Sequence, residues 1–381
     1  MTDKTPYRKK PATRRLVYGG LGAMIFFGIG SLIYDFGYFN WMTGTRTALS
    51  DAEQHSRTAT QARRQLAEER TARRDNPDAP APVQPVGEDG YFAPPGEEEL
   101  PDGPFGESVK RGREIFRNTG TNAGEFVGND LSCANCHLDS GKKENSAPMW
   151  AAIVQYPAFR GKNQMVNTME DRVNGCFTYS MNAQDSEHGD APPRGHQVYK
   201  DLQSYFYWLA DGAALNEDLP GRGYPSVEET DQGYDWQRGQ QVFTDNCAAC
   251  HGVDGQGQQD LNGRTIFPPL WGPGSYNWGA GMHRIDTAAG FIQANMPLGK
   301  PNSLTDQEAW DVSAYINSFP RPADPRQVDK MDVGTADERY HEGSMNYYGD
   351  SLHGVLLGEG VTQESWERFL RTDPYAQPVV D

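Results

Sequence analysis

Two short runs in this sequence carry chemistry in their spacing. Residues 133–137 read CANCH and residues 247–251 read CAACH. Each is a C-x-x-C-H motif, the attachment signature of a c-type haem. The two thiols bond the haem as thioethers, and the histidine supplies one axial nitrogen to its iron. Both sulfurs must reach one edge of the ring while the imidazole turns under its centre, which is why the spacing is short. A redox dithiol or half a zinc site would use the same cysteines, but two copies each followed by histidine point away from both. The sequence therefore predicts two covalently bound haems c, held by Cys133, Cys136, Cys247 and Cys250, with His137 and His251 as proximal iron ligands.

The fifth cysteine, Cys176, has no cysteine left to pair with. It stands in RVNGCFTYSMN (172–182), 39 residues after His137, where a distal ligand is expected. A buried inert thiol is the competing reading, since free cysteines are commonly buried. An unpaired thiol in an oxidising compartment is nonetheless a liability unless something holds it. The second motif has a clearer distal candidate. NMPLG (295–299) places Met296 before a proline, 45 residues after His251, with the Pro-rich FPPLWG (267–272) ahead of it; Met282 is the alternative. Among Met149, Met165, Met169 and Met181 none precedes a proline.

These groups need elements to hold them, and an internal repeat supplies them. KRGREIFRN (110–118) and QRGQQVFTD (237–245) share a glycine followed four positions on by phenylalanine. HQVYKDLQSYFYWLADGA (196–213) and DQEAWDVSAYINSF (306–319) share helical apolar spacing and aromatics that can cover a haem edge. Each pair resembles the first and last helices of a class I cytochrome c domain, where glycine lets the two approach closely. The expected fold is all-α: domain 1 at 105–218, a linker at 219–232, domain 2 at 233–322 and an acidic tail at 323–381. Trp366, Phe369 and Leu370 suggest a short terminal helix packed on a domain.

Charge divides the chain. Residues 1–75 carry a net +6 and the remainder −23, for −17 overall, which argues against a nucleic-acid partner. Residues 16–34, LVYGGLGAMIFFGIGSLIY, contain no charge and approach the length of a membrane span. Six basic residues precede them, and Tyr34, Tyr38 and Trp41 follow, as the positive-inside rule and an aromatic belt would have it. A cleaved signal peptide would have a shorter apolar region and an early small-residue site. The expected layout is a cytoplasmic segment at 1–15, an uncleaved inner-membrane anchor at 16–34, and a stalk with a Pro-rich acidic linker at 35–104. The haem domains would then lie in the periplasm.

The stretch around Cys176 resembles the active-site segment of the thiosulfate dehydrogenase family, through Arg172, Asn174, Gly175, Cys176, Ser180, Met181 and Asn182; GAGMHRIDTAAGFIQANMPLG (279–299) also looks like that family. The resemblance implies a dihaem cytochrome whose first haem has His137/Cys176 ligation and which joins two thiosulfates into tetrathionate. On a helix Arg172, Cys176 and Ser180 would share one face. Arg172 could bind the sulfonate end of the substrate through paired hydrogen bonds, and Ser180 could donate another. Arg160 and Lys162 are further candidates for a basic pocket, or else surface cations or partners of haem propionates. Some family members have a lysine before the methionine of the second haem; here Asn295 stands there, so His251/Met296 ligation is expected. The expected partner is a cytochrome, a terminal oxidase or another membrane redox complex. The alternative function is a membrane-anchored dihaem electron carrier without substrate chemistry.

Overall fold

The computed structural model describes residues 86–372, apart from 88, 161–162, 216–218, 262, 328–330, 342 and 344. The segments at 1–15 and 16–34, and the proposed stalk and linker as far as residue 85, lie outside the described residues. Among the described residues no helix is long and apolar enough to cross a membrane.

Two helical units follow one another along the chain. The first contains α1 (Gly103–Arg117), α2 (Met149–Ile153), α3 (Met169–Gly175) and α4 (Gln197–Leu209). The second contains α5 (Trp236–Asn246), α6 (Ile285–Asn295) and α7 (Asp306–Asn317). In each unit the first and last helices pack together, α1 on α4 and α5 on α7. The expectation of an all-α fold needs one correction. Among the described residues there are three two-stranded antiparallel ribbons, pairing Ala158–Arg160 (β1) with Met165–Asn167 (β2), Gln258–Gln259 with Thr265–Phe267, and Ser351–Leu352 with Val355–Leu356. Each is too short to leave a periodic signature in the sequence.

The repeated glycines explain the helix packing. A Cβ on Gly112 would lie 2.0 Å from the Asp201 carbonyl oxygen, and one on Gly239 would lie 1.9 Å from that of Asp311. Only hydrogen fits at either crossing. The residue before each glycine clamps the same crossing. Arg111 donates to both carboxylate oxygens of Asp201 at 3.0 and 2.8 Å. Arg238 does so to Asp311 at 2.8 and 2.7 Å. Both carboxylates are almost wholly buried. The two units thus share one helix–helix joint, with Tyr205 and Tyr315 in matching places against the glycines.

Gly112→Ala is expected to force α1 and α4 apart at a cost of about 1–3 kcal/mol, the usual range for overpacking. Thermal unfolding of the haem-loaded protein should show a fall in Tm of several degrees. An unchanged Tm would mean the helices separate without loss.

The cores are built from aromatics at helical spacing. Phe116, Trp150, Tyr199, Leu202 and Phe206 are among those filling the first. Phe243, Trp271, Tyr315 and Phe319 are among those filling the second. The acidic segment after residue 322 packs into this second core rather than trailing from it. A helix, α8 (Gln363–Thr372), brings in buried Trp366 and Phe369, with Leu370 partly buried beside them. Further back, buried Asp324 pairs with Arg326 at 2.5 Å and with His341 at 3.0 Å, and His341 reaches His283 at 3.1 Å.

Candidate functional site

Thr168 begins α3 with a capping box. Its hydroxyl accepts from the Asp171 amide at 3.2 Å, and Asp171 accepts from the Thr168 amide at 2.7 Å. This fixes the helix start and sets Arg172 one turn in. After Gly175 the coil widens into a π-turn, Cys176–Ser180. Such turns are rare and concentrate at functional sites. The regular-helix spacing expected of Arg172, Cys176 and Ser180 therefore gives way after Gly175, yet all three line one cavity of about 390 Å³.

A π-turn loosens the backbone ladder, and here asparagines from both units bind its carbonyls. The Asn277 side-chain amide donates to Thr178 O at 2.9 Å and the Asn277 backbone amide to Tyr179 O at 3.2 Å. Asn129 donates to Ser180 O at 2.7 Å. Asn277 is wholly buried and also reaches Asn182, which holds a left-handed conformation at φ 50°. Of the remaining residues in the segment, Asn174 bonds the Tyr199 hydroxyl at 2.8 Å, and Met181 is buried on the cavity wall. These side chains fix the segment's shape around Cys176.

The same cavity is lined by Cys133, Cys136 and His137. The His137 Nδ1 lies 2.8 Å from Ala147 O, which leaves Nε2 to turn inward. Burial pushes the His137 pKa down to about 4, so the ring is neutral, as a metal ligand must be. His251 is held alike, with Nδ1 3.0 Å from Pro268 O in the FPPLWG wall, and burial again lowers its pKa. A backbone carbonyl on the outer nitrogen is the arrangement that orients metal-bound histidines. Met296 caps the end of α6 in extended backbone, and it and Cys247 both pack against the second core. Met282 packs against both cores and lines the first cavity. Asn295 is buried, donating to Asn145 O and Phe291 O, both at 3.0 Å.

Charge in the cavity runs against that of the chain. Arg160, Arg172 and Arg222 line it, and among its described lining residues there is no carboxylate. Arg172 lines the cavity with its side chain accessible rather than packed away. The negative charge of a Cys176 thiolate is the main influence raising its pKa, and the Tyr156 hydroxyl is hydrogen-bonded to it. Arg160 ends β1, with its side chain exposed. Lys162 lies outside the described residues. Arg222, from the stretch between the two units, escaped the sequence reading. Its flanking glycines, Gly221 and Gly223, both adopt positive φ, and their carbonyls accept from Asn145 and Ala147 near the first motif. GRG between two domains reads as a flexible connector, but here it walls the site.

Residues 112–215 match the SoxA/TsdA cytochrome c domain family, and residues 236–320 match the cytochrome c family. The chain is 49% identical over 271 residues to a thiosulfate dehydrogenase of Stutzerimonas stutzeri, covering 71% of this chain and 86% of that protein. The chain belongs to the thiosulfate dehydrogenase family. A second thiosulfate dehydrogenase, from Thiomonas intermedia, is 47% identical over 274 residues, covering 72% of this chain and 84% of the relative. A solved thiosulfate dehydrogenase (TsdBA) from Marichromatium purpuratum superimposes with a TM-score of 0.68 at 50% identity; the match covers 71% of this chain and 58% of that one. As in a thiosulfate dehydrogenase with two cytochrome c domains, the chain carries two covalently bound haems c. The donor sets fit them. Cys133, Cys136 and His137 would hold one haem with Cys176 facing it, and Cys247, Cys250 and His251 would hold the other with Met296.

Proposed function

We propose that this protein is a dihaem oxidoreductase that interconverts thiosulfate and tetrathionate in the cavity beside Cys176. It would be tethered to the inner membrane by residues 16–34, with its haem domains in the periplasm. The observation that carries this reading is the lining of three arginines and no described carboxylate around Cys176. A plain electron carrier has no use for a cation lining the cavity beside Cys176. A dianionic substrate does, the more so because the chain beyond residue 75 carries −23 and repels anions at long range.

In the oxidative direction two thiosulfates lose one electron each, and a bond forms between their terminal sulfurs. No proton is taken up or released, so the reaction asks for no general base. The haems supply one-electron acceptance. The chain binds and orients. Arg172, held by Tyr156, engages one sulfonate through its paired N–H groups. The Ser180 hydroxyl adds a donor on the same wall, and Arg160, Lys162 and Arg222 screen the second dianion as it enters. Met181 and the aromatic lining limit water. The second haem would pass electrons to a cytochrome, a terminal oxidase or another membrane redox complex.

Steady-state assay with thiosulfate and ferricyanide tests the reading. Two ferricyanides should be consumed per tetrathionate formed, and no turnover would leave the carrier reading in its place. The anchor makes a separate prediction. Extraction should require detergent, and the intact mass should include residues 1–34 plus two haems. A soluble protein starting near Asp51 would show that the segment is cleaved.

A further inference from the structure

The segment after residue 320 lies beyond both family matches, yet it is built against the turn that carries Cys176. Within that turn Cys176, Phe177 and Ser180 line the cavity, whereas Thr178 and Tyr179 are absent from its described lining. Tyr179 packs instead on Gly279, where a Cβ would come within 2.3 Å of its ring. Over the same ring stands Arg326, with its guanidinium carbon 5.3 Å from the ring centre and 4.6 Å from that of Tyr340. At these distances a guanidinium is attracted to an aromatic face.

Arg326 is itself fixed. Its Nε donates to the two Asp324 carboxylate oxygens at 3.0 and 3.1 Å, and its Nη2 donates to one of them at 2.5 Å. Asp324 is fully enclosed and lies 3.0 Å from His341 Nε2, and the His341 ring stacks on Tyr348 at 3.9 Å. The backbone before Arg326 is tied in as well. The Trp278 amide donates to Pro322 O at 3.1 Å, and the Gln184 side chain donates to Ala323 O at 3.4 Å. Trp278 directly follows Asn277, which binds the carbonyls of the π-turn. One short loop, 277–279, therefore holds the turn and the C-terminal segment together, and Arg326 reaches across to Tyr179.

The turn needs such a hold. A π-turn carries one residue more than the helix it interrupts, and π geometry is seldom adopted without support. Reverting to an α-helix would rotate each following side chain by about 100°. Ser180 would then leave the wall it shares with Cys176. Tyr179 lies between these two residues, so a contact that pins its ring opposes the change.

We propose that Arg326 is a positioning residue for the thiosulfate reaction. Through Tyr179 it keeps the π-turn in the register that presents Cys176 to the first haem and Ser180 to the cavity. The proposal rests on the role given to Cys176 above. It makes the acidic C-terminal segment a brace on the site.

The test compares Arg326→Gln, Tyr179→Leu and the double variant, each purified with its haems, by electron paramagnetic resonance of the oxidised protein and by steady-state kinetics with thiosulfate. Each single variant should lower kcat about three- to tenfold, the scale of one lost cation–π contact, with KM changed less because neither residue meets substrate. The double variant should be no worse than either single one, since both act through one contact. Each variant should also shift or split the thiolate-type signal of the first haem and leave the other signal alone. Arg326→Lys, which keeps a cation over the ring, should recover most of the loss. Losses that multiply in the double variant would overturn the proposal, as would a first-haem signal identical to wild type. If Arg326→Gln fails to load haem, Tyr179→Leu leaves the Asp324 pair intact and carries the test alone; wild-type signal and kcat there would overturn the proposal. A wild type without thiosulfate turnover would end the function proposed above, while a shifted first-haem signal in the variants would still support the brace.

Discussion

Arg172→Ala is expected to lower kcat/KM for thiosulfate by roughly 10- to 150-fold while haem content stays at wild type. The estimate is the loss of a charge-assisted contact to a charged group, about 1.5–3 kcal/mol, read at about 1.4 kcal/mol per decade. Arg172 shares the wall with Cys176, and the thiolate charge there is the main influence on its protonation. A sulfonate held by this guanidinium would sit beside Cys176, in the cavity that Cys133, Cys136 and His137 also line. Haem attachment rests on Cys133, Cys136 and His137, which the substitution leaves alone. Arg172→Lys keeps the charge without the planar fork and should fall between the two. Wild-type kinetics in Arg172→Ala would reduce Arg172 to a partner of the haem or of Tyr156.

Cys176→Ala should have the larger effect, lowering turnover by on the order of 100-fold or more, the scale seen when a group acting directly at the reacting centre is removed. It should also erase a thiolate-type low-spin signal from the electron paramagnetic resonance spectrum of the oxidised protein. The signal of the second haem, which His251 and Met296 would hold, should remain. Asn277 and Asn129 bind the π-turn through its backbone carbonyls, so removing the thiol leaves the segment's anchorage intact. Two His/Met signals in the wild type would end the assignment of Cys176.

The parts of this molecule that depend on local residue identity were legible in the sequence. CANCH and CAACH state their chemistry through spacing alone. Gly112 and Gly239, each with phenylalanine four positions on, suggested a close helix crossing through their likeness to cytochrome c helices, and the geometry at Asp201 and Asp311 supplies its reason. Other features depend on partners far along the chain. Helical arithmetic placed Arg172, Cys176 and Ser180 on one face but carried no sign of the π-turn, which is held partly by Asn277, about a hundred residues away. Arg222 looked like linker because glycines flank it. The acidic segment after 322 hid its buried Asp324 and His341 behind its net charge.

The central claim is that thiosulfate gives its electrons to this protein directly. Purified, oxidised protein mixed with thiosulfate under anaerobic conditions, with the haem absorption bands followed in time, tests it most directly. The account predicts reduction by thiosulfate and, for the reduced protein, reoxidation by tetrathionate, with both responses lost in Cys176→Ala. Haem bands that respond to neither compound in the wild type would contradict it.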